Sequence, residues 1–141
     1  PPPLTTTAHA PVLVNAVYFL GSWSSAFDPK DTFDRPFIAP DGPQPARFMR
    51  RVGEVPVALE VEQLGGAAVV RLDYGKLDGA AAGTPSEFCA LLVLPAAAGH
   101  ESLSAAVKGL QAAPLGRLLA QLHAKKVKIQ LPRFKAGEGH P

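Results

Sequence analysis

The strongest constraint on the fold is one extended run, residues 12–19, that is apolar on both of its faces. It is rich in β-branched and aromatic residues and contains neither glycine nor proline, which is typical of a β-strand. A strand with two apolar faces must be covered on both sides, so the run predicts a central strand of a layered sheet. Its polar interruption is Asn15, whose buried amide needs a hydrogen-bond partner.

Prolines and glycines shape the rest of the chain. The sequence holds 15 prolines and 13 glycines among 141 residues, so we expect many turns and only short helices. Turn signals lie at residues 40–42 and 65–66. Apolar or alternating runs predict further strands at residues 46–49, 54–64, 67–72, 88–94 and 127–131. The run at 88–94 is wholly apolar and predicts a buried strand that holds an inert Cys89.

Two short helices are predicted before the last strand. Residues 101–107 favour the first, and Pro114 suits the start of the second. The second has one apolar stripe at helical spacing, made of Leu115, Leu118, Leu119 and Leu122. Lys125 and Lys126 would close that helix favourably against its dipole. Strands followed by helices and a final strand predict an α+β fold, mostly antiparallel β.

Composition and motifs exclude several classes of function. The formal net charge of +2 is too small to indicate nucleic-acid binding, and no apolar run approaches the roughly 20 residues of a membrane span. A single cysteine excludes an internal disulfide and a cysteine-based zinc site. No histidine has metal-ligand spacing, and the glycine patterns of nucleophile elbows and phosphate loops are missing. We therefore expect no enzyme, no cofactor and no metal.

A small basic group lies near the end of the helical segment. It consists of Arg117, Lys125, Lys126 and Lys128. The plainer interpretation is a solvated surface. The alternative is a site for an anionic polysaccharide, because clustered cations attract such chains.

Residues 13–37 read LVNAVYFLGSWSSAFDPKDTFDRPF, and this segment resembles the serpin family of serine protease inhibitors. The resemblance continues at residues 48–49, 92–95 and 131–135, in matching order over nearly the whole chain. It implies the central portion of a serpin fold, with parts of sheets A, B and C plus two short helices. The implied pieces are a sheet A strand at 12–20, the sheet C gate strands at 30–50, three sheet B strands at 54–95, the two helices at 101–124 and a further sheet C strand at 126–135.

The resemblance also implies roles for single residues. Asn15 falls where serpins place a shutter asparagine, beneath the point at which sheet A opens. Trp23 falls at the breach, where the reactive loop first enters that sheet. The other matches are gate or core positions: Phe19, Gly21, Phe27, Thr32, Phe37, Met49, Pro95, Pro132 and Phe134. Leu20 departs from the pattern, because many serpins carry lysine there.

The resemblance implies a function that depends on a longer protein. A serpin offers an exposed reactive loop, which the protease cleaves to form an acyl-enzyme; the loop then inserts into sheet A and distorts the protease. We expect residues 1–141 to be a partial serpin domain, without the N-terminal helices and the reactive loop, and not inhibitory alone.

The expected partner of the full-length parent is a serine or cysteine protease. The expected compartment is the extracellular space, with the cytoplasm as the alternative. The alternative function is a non-inhibitory binding or scaffold protein that uses the serpin core and binds a polyanion.

Overall fold

The computed structural model describes residues 21–75 and 88–134. The elements in chain order are β1 (Phe33–Ala39), β2 (Gly42–Val61), β3 (Ala67–Asp73), β4 (Cys89–Leu94), α1 (His100–Ala112), α2 (Leu115–Ala120) and β5 (His123–Pro132). Short 3-10 turns precede β1 at Pro29–Asp31 and follow β2 at Glu62–Leu64. The strands form one antiparallel sheet in the order β1-β2-β3-β4, with β5 also paired to β2. The predicted α+β fold with mostly antiparallel strands is confirmed.

The long strand β2 organises the sheet. Its first part pairs with β1, its middle with β5 and its last part with β3. At Phe48 the strand is paired on both sides, with Phe33 of β1 and Pro132 of β5. The prediction of separate strands at 46–49 and 54–64 was wrong, because pairing with β5 keeps the intervening residues extended. A single strand therefore runs through the segments assigned to sheets C and B.

Both predicted turns are confirmed. Gly42 follows the turn between β1 and β2 and has φ 123°, a conformation that favours glycine. Gly65 and Gly66 reverse the chain before β3 with φ 65° and 83°. The amide of Gly66 donates to the carbonyl of Val61 at 2.9 Å, which closes this turn.

One core cluster lies between the helices and the strands β2 to β4. Its buried residues are Ala58, Val61, Leu64, Ala67, Val69, Ala106 and Leu118. Val69 and Leu64 are its largest fully buried side chains. Leu91, Val93 and Leu122 pack against the cluster from its margin. The helices thus cover one face of the sheet.

A second cluster lies on the opposite face of β3 and joins it to β5. Val55, Leu72 and Ile129 are buried there. Trp23 and Phe27 pack against this cluster from the segment that precedes β1. The two clusters show that β3 is covered on both faces, since Val69 belongs to one and Leu72 to the other.

The second helix is shorter than predicted. It ends at Ala120, so Lys125 and Lys126 lie in β5 rather than in the last turn of a helix. Pairing with Val55 and Glu54 of β2 outweighs the leucine periodicity here. Of the leucine stripe, Leu118 is buried, whereas Leu115 is exposed.

The interpretation of Cys89 as a buried thiol was wrong. Cys89 is the first residue of β4 and is exposed. In the described ranges β4 pairs with β3 alone, which leaves the middle of β4 half-buried and Leu94 70% exposed. Residues 12–19, with Asn15 and Phe19, lie outside the described residues.

Candidate functional site

The segment before β1 is attached to the end of β3 by backbone pairing. Trp23 and Tyr74 form an isolated antiparallel bridge, and their rings stack with centroids 4.5 Å apart. The amide of Ser24 donates to the carbonyl of Asp73 at 2.9 Å, and the amide of Gly75 donates to the carbonyl of Ser22 at 2.6 Å. These bonds hold the predicted breach tryptophan at a fixed place on the sheet.

Arg51 connects this segment to β2. Its guanidinium lies 5.7 Å from the ring centroid of Phe27, and its Nη1 donates to the carbonyl of Ser25 at 3.4 Å. Within the described ranges its buried Nε has no hydrogen-bond partner. A buried donor without a partner is costly, so Arg51 is a locally unfavourable feature of this site.

A small polar cavity of about 180 Å³ lies beside Arg51. Trp23, Glu54 and the pair Arg71–Asp73 contribute to its wall. Arg71 Nε donates to Asp73 Oδ1 at 2.7 Å. This hydrogen bond raises the pKa of Arg71 above its ordinary value, so the guanidinium stays charged at every pH at which the protein would be studied.

The predicted gate residues lie on β1 and on the turn before it. Thr32 follows the Pro29–Asp31 turn, and its amide donates to the carbonyl of Pro29 at 3.2 Å. Phe37 lies within β1 and is 47% exposed. The turn itself is capped by Asp28, whose Oδ1 accepts from the amide of Lys30 at 2.9 Å. These residues fix where β1 starts but do not converge on a cavity with Trp23.

The remaining predicted residues are dispersed over the fold. Met49 is half-buried in β2 opposite Leu131, and Pro132 ends β5 opposite Phe48. Gly21, Pro95 and Phe134 lie outside the helices and strands. Trp23 and Phe27 are the predicted residues that share one cluster.

The predicted basic group does not form one surface. Lys126 and Lys128 lie opposite Glu54 and Val52, whereas Lys125 lies opposite Val55 on the other face of β5. Arg117 belongs to α2. The lysine doublet is thus divided between two faces by the strand that contains it.

The sequence reasoning missed Arg51 and the Arg71–Asp73 pair. Arg50 and Arg51 are adjacent in the sequence, and neighbouring residues of a strand point to opposite faces of the sheet. Alternation along β2 was the signal that could have separated them. In the described part of the chain, no group of three His, Cys, Asp or Glu residues could hold a metal ion. None of the described helices has the length and apolar character to span a membrane.

Comparison with known proteins shows that the sequence is similar to one protein family. The model of the family described as Serpin (serine protease inhibitor) matches residues 2–140. An uncharacterized serpin-like protein of Thermococcus kodakarensis is 32% identical over 88% of this chain, and antithrombin-III of Mus musculus is 28% identical over 91%. The match covers 25% of each relative, so the chain spans about a quarter of their length.

The fold also resembles solved structures. The structure of cleaved serpin 42Da matches 84% of this chain and 29% of its own, with a TM-score of 0.66 and 24% sequence identity. At 24% identity, this structural similarity shows that the two chains share a fold.

Proposed function

The chain belongs to the serpin family, and on that premise we propose that it is the central part of a serine protease inhibitor. The observation that carries the proposal is the family match across residues 2–140, which includes every element described above. The chain forms strands and helices on which the family's reactive-loop mechanism depends, while the loop itself belongs to another part of the parent protein. Its own role is structural, and it catalyses no reaction.

The proposed mechanism uses strain stored in a sheet. A protease cleaves the reactive loop of the parent, an acyl-enzyme forms, and the loop adds a strand to sheet A before the ester can be hydrolysed. Main-chain hydrogen bonds of the inserted strand supply much of the energy. In this proposal Asn15 acts at the shutter and Trp23 at the breach. The stacking of Trp23 on Tyr74 and its packing against the cluster of Val55, Leu72 and Ile129 support the second role, because they fix the tryptophan beside the end of β3.

The partner is a serine or cysteine protease of the parent, and the proposed compartment is the extracellular space, with the cytoplasm as the alternative. The residues that select the protease belong to the reactive loop. Sequencing the complete transcript tests the inhibitory proposal. The inhibitory proposal predicts a reactive loop with a hinge of small residues downstream of this chain. A downstream region without such a hinge would contradict the inhibitory proposal.

A second candidate is a non-inhibitory binding protein that uses the serpin core. It is favoured by the exposed cations of β5, among them Lys126 and Lys128. If the ligand of such a binding protein is a polyanion, the chain would bind an anionic polysaccharide through these lysines. Retention on a sulfated-polysaccharide column that weakens with salt is expected; passage without retention at low salt would contradict it.

A further inference from the structure

One face of the β1-β2-β5 sheet collects basic side chains from all three strands. Arg35 lies opposite Ala46, Arg50 opposite Gln130, Lys128 opposite Val52 and Lys126 opposite Glu54. Directly paired residues point to the same side of a sheet, and residues two apart along a strand do so as well. Arg35, Arg50, Lys126 and Lys128 therefore share one side, which we term the basic face.

The two arginines of the basic face are held in defined positions. The Arg35 guanidinium lies 5.6 Å from the ring centroid of Phe48, and its Nη1 donates to Oε1 of Gln130 at 3.0 Å. The Arg50 guanidinium lies 5.7 Å from the ring centroid of Phe33. The two phenylalanine rings are themselves stacked, with centroids 6.0 Å apart. Arginines fixed in this way lose less conformational freedom when they bind a ligand.

The positive charge of this face is only partly neutralised. Asp31 lies 3.7 Å from Arg50, and both side chains are well exposed. In the described part of the chain, no carboxylate lies within ion-pair distance of Arg35 or Lys128. The cations extend along β2 from Ala46, which pairs with Arg35, to Glu54, which pairs with Lys126. This length of strand is roughly 25–30 Å. The basic face is thus long and narrow.

We propose that the basic face binds an extended acidic segment of a partner protein. Guanidinium groups bind carboxylates through paired hydrogen bonds, and arginine and aromatic residues are enriched at protein interfaces. Val52 is exposed between the cations and offers apolar contact, which a peptide can use. Glu54 and Asp31 disfavour a uniformly sulfated chain, whereas a peptide can place a neutral residue beside them.

Binding of a labelled peptide to the full chain tests the proposal. The probe is a fluorescein-labelled peptide of about twelve alternating glutamates and tyrosines, long enough when extended to cover the face. Fluorescence anisotropy is measured at low salt with sub-micromolar protein. We expect saturable binding, which the combined change Arg35→Gln and Lys128→Gln weakens about tenfold. A peptide with glutamine in place of glutamate should not bind.

The matched control combines Lys125→Gln with Lys108→Gln. It removes the same charge, but Lys125 lies on the other face of β5 and Lys108 is exposed on α1. Its affinity for the peptide should equal that of the unmodified chain. Equal loss in both double variants would overturn the proposal, because it would show attraction to net charge alone. Binding of a sulfated polysaccharide without binding of the peptide would also overturn it.

A salt titration of the unmodified chain tests the proposal without any substitution. The face is exposed, so added salt should screen it, and affinity should fall about tenfold between about 50 and 300 mM salt. Affinity that does not change with salt, or no saturable binding at low salt, would overturn the proposal. These measurements concern binding only, so their outcome is separate from that of protease inhibition.

Discussion

At Gly109 a single methyl group should disrupt the packing of α1. The helix crosses the turn after β2 so closely that a β-carbon at Gly109 would overlap the carbonyl oxygen of Gln63 and come within 2.9 Å of Leu64 Cδ2. Leu64 is 1% exposed and has little room to move. We predict that Gly109→Ala lowers the free energy of unfolding by about 2 kcal/mol, a typical cost of overpacking. Urea unfolding followed by Trp23 fluorescence at sub-micromolar protein measures it.

Gly116 supplies the control for that substitution. It also lies in a helix, but a β-carbon there meets nothing within 4 Å. Gly116→Ala should raise the free energy of unfolding by up to about 1 kcal/mol, because alanine favours helix more than glycine does. Equal stability of the two variants would contradict the close packing of α1 on the turn.

Single residues were harder to predict than the strands that hold them. Trp23 was expected at the breach and Phe27 at a gate or core position, and both pack against a buried cluster. Cys89 lies in a strand, as predicted, but its side chain is exposed and not buried. An apolar sequence run shows that a strand can be buried, but it does not say which neighbour covers it. Burial of Cys89 depends on contacts that no local pattern contains.

Among the elements, the hairpin of β1 and β2 depends on one backbone conformation. Gly42 has φ 123°, which other residues rarely adopt, and the space around its α-carbon is open. We predict that Gly42→Ala costs about 1 kcal/mol through backbone strain alone. Gly53→Ala is the matched control, since Gly53 lies in the same strand with open space and without a positive φ. The same urea titration compares them, and equal costs would refute the role of Gly42.

Element boundaries show where sequence reasoning reaches its limit. The turns at residues 40–42 and 65–66 were predictable because glycine and proline act locally. The continuity of β2 and the early end of α2 were not predictable, because both follow from the pairing of β2 with β5. These two strands are far apart in the sequence. Leu122 fits a helical stripe, yet it lies two residues after α2 and packs against the core from there. Tertiary pairing outweighed the local periodicity.

For the whole molecule, exposed apolar side chains and strand edges predict self-association of this chain. Ile38 is 72% exposed and Leu94 is 70% exposed, on strands that each have one paired neighbour within the described residues. Such edges are prone to pair with further copies. We predict oligomers at micromolar concentrations, measured by light scattering after gel filtration, whereas the urea titrations above use sub-micromolar protein. A monodisperse monomer at micromolar concentration would contradict this prediction.

The family and its implied function rest on residues distributed over the whole chain. The blocks around residues 13–37, 48–49, 92–95 and 131–135 predicted the family, which the match over residues 2–140 confirmed. The family implied an α+β fold of mostly antiparallel strands with two short helices, which the structure has. The basic face could not be read in advance, because its cations come from three strands whose register only the fold supplies.

We propose above that this chain is part of a protease inhibitor of the serpin type. Its most direct test mixes the protein encoded by the complete transcript with trypsin-like and chymotrypsin-like serine proteases and analyses the products on a denaturing gel. With at least one protease, we expect a band that survives denaturation at the summed mass of protease and inhibitor, because the acyl-enzyme is trapped. Cleavage of the protein without any such band would contradict it.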